Sequence, residues 1–442
     1  MTMLRQSLFL FALHFSVLGA AQAQGLSHAI DAASQVDPAL RSSALNRLAQ
    51  QEGIEVARSR LFPQLSMQGG VQQLSQTTTQ DNSNPATTQS YTVPSSNHQL
   101  MLRQALIRPR ELGAVRQAQS LAEHSEFKLQ IDRNDLWSRT SMAWLEWLGA
   151  RQMVKIQQAP LQTLKAWVEQ EQKRLDQGDG TRDSLMEAQA QWANAQSLYA
   201  EALLNQAARE AALRLLTQAH AQAFAAATWP ERLPWASKFV DFPELWQKVL
   251  HTSAELRAAF EMEKVQRERH NMAKMEHLPT LDLVAVANRA MNEANRSQGY
   301  RYQNHQVGVQ YAIPIFAGGG TTAAERQAFA LYQASVADRE ALQMRLETEL
   351  HLASNAVASG QDRLQAGEEL LNSAREQRKA AERGMVHGVK TWGDRAQAEL
   401  NHSRRSADHV NLMLAALKAQ LRVLRLLPTT DPLWEQWVQS LQ

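Results

Sequence analysis

The stretch Ala312-Ile313-Pro314-Ile315-Phe316-Ala317-Gly318-Gly319-Gly320 decides the fold, because one kind of periodicity ends in it and another begins. Before it, Val307, Val309, Tyr311 and Ile313 alternate with Gln306, Gly308, Gln310 and Ala312, the period-two pattern of a strand with one apolar face. After it, helical periodicity runs with few breakers to a turn at His387 to Thr391. Pro314 removes a backbone donor where a strand ladder would end. Gly318, Gly319 and Gly320 supply positive φ and room for close packing where the chain swings into the helix.

The chain says all of this twice. Arg116-Gln117-Ala118 returns as Arg326-Gln327-Ala328, Gly178 and Thr181 as Gly388 and Thr391, and Ala188 as Ala398, all at an offset of about 210 residues. Further upstream the offset widens by about six, where Arg60 to Leu65 corresponds to Glu276 to Leu281. So long a period reads as two fused halves and not as a solenoid. Each half is a helix, a Pro-led alternating segment, a loop, a second alternating segment and a very long helical hairpin.

The expected organisation is a leader over 1–23 and a first repeat over 24–217, with strands at about 63–76 and 93–105 and a hairpin over 107–217. A linker follows over 218–241. The second repeat covers 242–427, with strands at about 279–290 and 302–315 and a hairpin over 320–427, before a tail over 428–442. The polar stretches Gln76 to Thr92 and Asn288 to Tyr300 read as solvated loops. Leu204, Ala207 and Ala211 correspond to Leu414, Leu417 and Leu421 as seam positions of coiled-coil-like hairpins.

Composition narrows the function. Hydrophobic residues make up 44% but aromatics only 6%, and Ala and Gln are abundant, the profile of long helices packed through thin seams. The formal charge of +2 falls by one if Arg5 is lost with a leader, and Lys and Arg are scattered among acids, so no nucleic acid or other polyanion is implied as a partner. The absence of cysteine excludes disulfides, thiolate metal sites, a cysteine nucleophile and lipidation of an N-terminal Cys. Arg5, the apolar run Leu8 to Leu18 and Ala21-Gln22-Ala23 form an export signal, with Gln24 the expected first mature residue. No later run reaches the ~20 apolar residues of a spanning helix. A strand of about 9 to 11 residues crosses a bilayer when tilted, so a membrane barrel stays open.

Other chemistry is thin. Asp176 and Glu187 have the first-to-twelfth spacing of a calcium loop, but Gly178 and Gly180 stand where ligands are needed. His402 and His409 share a helix face with no third ligand nearby. The glycine triplet is followed by no Lys-Ser or Lys-Thr, and there is no Gly-x-Ser-x-Gly. No catalytic residue, cofactor or metal is expected.

The run Ile313 to Gly319 leading from strand into long helix, with its degenerate first-half counterpart Gln104-Ala105-Leu106-Ile107-Arg108-Pro109-Arg110, resembles the TolC-like outer-membrane efflux protein family. The resemblance covers essentially the whole mature chain. It implies a mixed fold of α-helices and membrane β-barrel, in which a homotrimer closes a 12-stranded barrel over a helical periplasmic tunnel. It also implies lipid of the outer membrane, a periplasmic adaptor and an inner-membrane ABC or proton-driven transporter as partners, with passive export for drugs or for protein through type I secretion. Residue by residue, it places the tunnel entrance at Asp394, Gln397 and Lys390, counted from Gly388, with Glu187 in the first half; Gln397 is neutral where the family carries an acid. The turns at Gly178, Thr181, Gly388 and Thr391 become the adaptor-contacting tips, and Pro314 with Gly318 to Gly320 the corner between strand and helix. The alternatives are a soluble periplasmic coiled-coil adaptor, which would carry one hairpin and a lipoyl-like domain, and a secreted enzyme, which would need a convergent polar site.

Overall fold

The computed structural model describes residues 25–80, 87–219, 224, 227–233, 239, 241–292 and 300–441, so the expected leader lies outside the described residues. The first half runs α1 (Leu26–Val36), α2 (Pro38–Ser59), β1 (Gln64–Gln80), β2 (Thr87–Ile107), α3 (Pro109–Asp176) and α4 (Arg182–Thr217). The second runs α5 (Phe242–Thr252), α6 (Ala254–Met275), β3 (Thr280–Asn292), β4 (Tyr300–Ala312), α7 (Gly320–Val386) and α8 (Trp392–Arg425), and α9 (Pro432–Gln439) follows. The duplication reaches single hydrogen bonds. Asp37 caps α2 by accepting from the Leu40 N–H, and Ser253, its counterpart, caps α6 from the Leu256 N–H, each contributing about 1 kcal/mol.

The hairpins are as long as their periodicity demands. α3 has 68 residues and α7 has 67, so each extends for roughly 100 Å. Near the sheet the helices lie in the order α2, α3, α6, α7, and at the far end α4, α3, α8, α7. α8 is therefore packed on both sides, whereas α4 packs chiefly on α3, with a smaller contact to α1. The expected seams diverge for that reason. Leu417 and Leu421 are fully buried between α3 and α7, while Leu204 is 74% exposed and Ala207 and Ala211 also face out. The outer side of α7 has its own open apolar residues, Met344 and Leu352. Among the described residues no helix is long and apolar enough to cross a membrane.

The four strands form one antiparallel sheet in the order β1, β2, β3, β4. Register aligns Met67 with Leu100, Leu100 with Ala287 and Ala287 with His305, and likewise Leu65, Leu102, Ala285 and Val307. Directly paired residues share a face, so one continuous apolar face runs across all four strands and the alternate residues, such as Gln68, Gln99 and Gln306, line the other. The strand bounds correct the expectation at both ends. β1 and β2 stay paired through Gln80 and Thr87, well into the stretch read as loop, because Thr77–Ser90 and Thr79–Thr88 hydroxyl pairs continue the ladder where apolar alternation has stopped. β3 and β4 likewise pair to Asn292 and Tyr300. At the other end β4 stops at Ala312 and not at residue 315, because Pro314 has no N–H to donate.

The main core sits midway along the helices. Trp144, Leu145 and Leu148 of α3 meet Leu417, Leu421 and Leu424 of α8. Phe224 and Phe239, from the stretch expected as a linker, are fully buried in the same cluster. The expected tail contributes α9, whose Trp434 and Trp437 donate their indole N–H groups to the Leu424 carbonyl at 2.8 Å and to Gln420 Oε1 at 3.0 Å. Buried indoles need such partners.

Candidate periplasmic entrance and barrel corner

The two turns at the far end are built alike. In each, a glycine with positive φ, Gly178 at +82° and Gly388 at +70°, ends the long helix. In each, two successive N–H groups return to one carbonyl: Asp179 and Gly180 to Arg174, Val389 and Lys390 to Gly384. This satisfies the last carbonyls of the helix, and an L side chain at the glycine would be strained. Thr181 then caps α4 from the Ser184 N–H at 3.2 Å, and Thr391 caps α8 from the Asp394 N–H at 3.1 Å.

At this point the halves differ. Asp394 closes a full capping box, its carboxylate accepting from the Thr391 N–H and hydroxyl, both at 2.9 Å. Ser184 holds the equivalent position in α4 and instead donates its hydroxyl to the Thr181 carbonyl. The Thr391 N–H, with its hydroxyl and then Lys390 adding, holds the Asp394 carboxyl below its usual range. Lys390 reaches the same carboxylate at 3.8 Å within its own chain, and its stem lies over Gly384, where an added Cβ would come within 2.6 Å of Lys390 Cγ. Gln397 and Glu187 stand at matched, exposed positions of α8 and α4, with α3 between those helices. The structure therefore brings Lys390 and Asp394 together and leaves Glu187 apart from them. Beneath the turns, Trp167, Leu164, Ala188, Ala195 and Ala396 knit α3, α4 and α8 together, and Gly393 leaves space for the Trp167 ring at 3.3 Å from where its Cβ would sit.

His402 lies in the same hairpin, half-buried. Burial first, then the nearby Arg378 and Arg375 charges, hold its imidazole below the ordinary value. Among the described residues no group of three His, Cys, Asp or Glu side chains could hold a metal ion.

At the opposite end the chain turns from sheet to helix. Gly318 and Gly319 have φ of +60° and +79°. Gly320 does not; it is the first residue of α7, and no atom of the chain lies within 4 Å of a Cβ at any of the three. The positive φ expected across the triplet is confined to two residues, and the close packing expected there is not made within one chain. Ile315 and Phe316, just before the glycines, are 95% and 86% exposed.

Sequence reasoning passed over the most strongly paired acid at this corner. Asp282, the lone acid of the four strands, lies on the polar face of β3 with its side chain only 4% exposed. Arg103 of β2 donates Nε and Nη2 to Oδ2, and Arg108, just before α3, donates Nε to Oδ1 and Nη2 to Oδ2. A shift in the β2–β3 register between Ala105 and Ile107 accompanies the arrangement. Around it Arg60 pairs with Glu111 and Arg110 with Glu276, so the ends of both lead-in helices, α2 and α6, are tied to the start of α3. The signal available in the sequence was a single carboxylate, Asp282, in an alternating segment whose other charge, Arg289, lies seven residues on.

With this geometry in hand, comparison places the chain. The family model described as "Outer membrane efflux protein" matches residues 29–218 and 245–428, one segment in each half. The chain is similar to the proteases secretion protein PrtF of Dickeya chrysanthemi, 26% identical over 86% of this chain and 83% of that one. It is 25% identical to the outer membrane protein TolC of Vibrio cholerae, over 98% and 96% of the two chains. Among solved structures, the Campylobacter jejuni CmeC outer membrane channel matches with a TM-score of 0.76 over 94% of this chain and 89% of that one at 14% identity, and VceC from Vibrio cholerae with 0.73 over 91% and 96% at 18%. These two are likenesses of fold. Two strand pairs forming one sheet with a continuous apolar face, above two long hairpins, are the parts of a barrel standing on a helical tunnel. The chain belongs to the outer membrane efflux protein family and acts in the outer membrane as a passive duct for export.

Proposed function

We propose that three copies of this chain close the barrel by pairing β4 of one with β1 of the next, and that the duct serves protein secretion. One observation carries the assembly: the sheet has two unpaired edges and one continuous apolar face, and an open edge in lipid costs several kcal/mol for each unpaired backbone group, roughly. The unshared apolar sides of α4 and α7 support the same closure lower down, each being what the other lacks. Trimer formation in mild detergent and recovery with the outer membrane test it; a soluble periplasmic monomer contradicts it.

In the trimer the turns at Gly178 to Thr181 and Gly388 to Thr391 face the adaptor, and exposed Val386 and Val389 give that tip an apolar component. Asp394, with Gln397 beside it and Glu187 from the other hairpin, lines the entrance, and Lys390 holds Asp394 at rest. The names of two relatives, PrtF and the alkaline protease secretion protein AprF of Pseudomonas aeruginosa, support a protein cargo, and the type I secretion reading that follows brings a periplasmic adaptor and an ATP-driven inner-membrane transporter as partners. This chain itself performs no catalytic step. Restoration of protease export in a strain lacking its own outer-membrane component tests the cargo; restored drug resistance without protease export contradicts it.

A further inference from the structure

The outward face of the sheet changes character at one height. From the helical end upward it is apolar: Leu281, Leu283, Ala285 and Ala287 on β3, Tyr311, Val309 and Val307 on β4, Leu102 and Leu100 on β2, Leu65 and Met67 on β1. The next two rows bring in basic residues among neutral ones. Register sets Gly69, His98, Arg289 and Gln303 in one row across the four strands, with His305 at the end of the row below and Arg301 at the end of the row above. His98, Arg289, His305 and Arg301 are all exposed. Among the described residues none of them pairs with a carboxylate, and no acid stands on this face of the strands, since Asp282 lies on the other.

Two features show that the row is shaped. A depression of about 240 Å³ is floored by Met67, Leu100 and Ala287 and walled by His98, Arg289 and His305. Gly69 leaves the space that the His98 ring occupies, because a Cβ there would lie 2.5 Å from Nδ1. The row stands nine residues above the base of β3, about 23 Å vertically for a strand rising 3.3 Å per residue at a tilt of ~40°. That is close to the ~25 Å apolar band of an outer-membrane barrel.

From this we infer that the His98–Arg289–His305 depression, with Arg301 above it, binds the phosphate-bearing headgroup of an outer-leaflet lipid, whose acyl chains lie on the Met67–Leu100–Ala287 floor. Guanidinium and imidazole N–H donors suit phosphate oxygens, and the apolar floor suits chains that a free anion lacks. The site lies within one chain, so it requires the strands to span the membrane but needs no residue from a neighbouring copy.

The test uses the assembled protein in detergent, with its assembly state checked first on a gel, so that loss of the barrel is distinguished from loss of the site. Native mass spectrometry measures retention of a bis-phosphorylated hexa-acyl disaccharide lipid and of the same lipid after phosphatase treatment, with inorganic phosphate as competitor. The expected result is retention of the phosphorylated lipid, at least tenfold weaker retention of the dephosphorylated one, and no displacement by millimolar phosphate. Arg289→Gln and Arg301→Gln should each weaken retention about fivefold, while Asn304→Ser, on the opposite face and outside the depression, leaves it unchanged. Equal retention of the two lipids by the unmodified protein, or displacement by phosphate alone, overturns the assignment.

Discussion

Arg108 holds Asp282 across 174 residues of sequence, donating Nε to Oδ1 at 2.8 Å and Nη2 to Oδ2 at 2.5 Å. Because Arg108 opens α3 and Asp282 sits near the base of β3, the pair fixes the first hairpin to the second half's strand at the corner of barrel and tunnel.

Asp282→Ala should therefore loosen that corner. It strands two guanidiniums beside a cavity where a carboxylate was nearly fully buried, which costs about 3 kcal/mol before discounting and about 2 kcal/mol given that both arginines are part-exposed. The heat-induced dissociation of the assembled protein on a gel should shift to lower temperature. Arg108→Ala should cost more than Arg103→Ala, because Arg108 binds both oxygens and is the less exposed of the two. Equal, negligible shifts for all three would show that the corner is held by packing alone.

The glycine corner gives a sharper contrast. Gly318→Val and Gly319→Val each force a β-branched side chain to positive φ and should block assembly. Gly320→Ala should assemble at least as well as the parent, since that position is helical and open. Failure of all three alike would mean that the triplet serves packing between copies and not backbone conformation.

The long hairpins and their Gly turns were legible because each rests on local physics: a 3.6-residue period and a glycine that breaks it. The extent of β1 and β2 was not, because Thr77, Thr79, Thr88 and Ser90 are polar and their pairing energy is visible only once the strands are side by side. Asp282 was missed for the same reason, as nothing near it in sequence announces Arg103 or Arg108. The buried Phe224 and Phe239, and Trp437 bonded to Gln420, turn an expected linker and tail into parts of the core through contacts no local pattern encodes.

At the entrance, Asp394 combines a helix cap with a negative charge, and the first hairpin shows how to separate them. Asp394→Ser, copying Ser184, should keep the cap and lower cation selectivity in planar bilayers. Asp394→Ala should also lower selectivity and, by removing the carboxylate that accepts from the Thr391 N–H and hydroxyl, fray the start of α8, read by amide hydrogen exchange. Unchanged selectivity in both variants would remove Asp394 from the entrance.

Asp394 and His402, two of the shifted groups of this hairpin, respond to acid in different windows. Asp394 is held below its unfolded value of about 3.9, so its contribution is present above about pH 4 and lost as pH falls through the folded value. Cation selectivity due to it should survive to pH ~4. His402 is also held below its unfolded value, about 6.5, so the unfolded chain binds the proton better and stability falls as pH drops below about 6.5. His402→Gln should flatten the loss of α8 exchange protection between pH 7 and 5; an identical slope in parent and variant would contradict the assignment.

The central claim is that copies close the barrel through the edges of β1 and β4. The chain has no cysteine of its own, so paired cysteines report the edge without background. With one cysteine at Ser66 in β1 and a second walked along Gln306, Gly308 and Gln310 in β4, oxidation of membrane-extracted protein should give at least one register with bands of one, two and three linked chains and none larger. Linkage confined to a single chain at every register, or a ladder running past three, would contradict it.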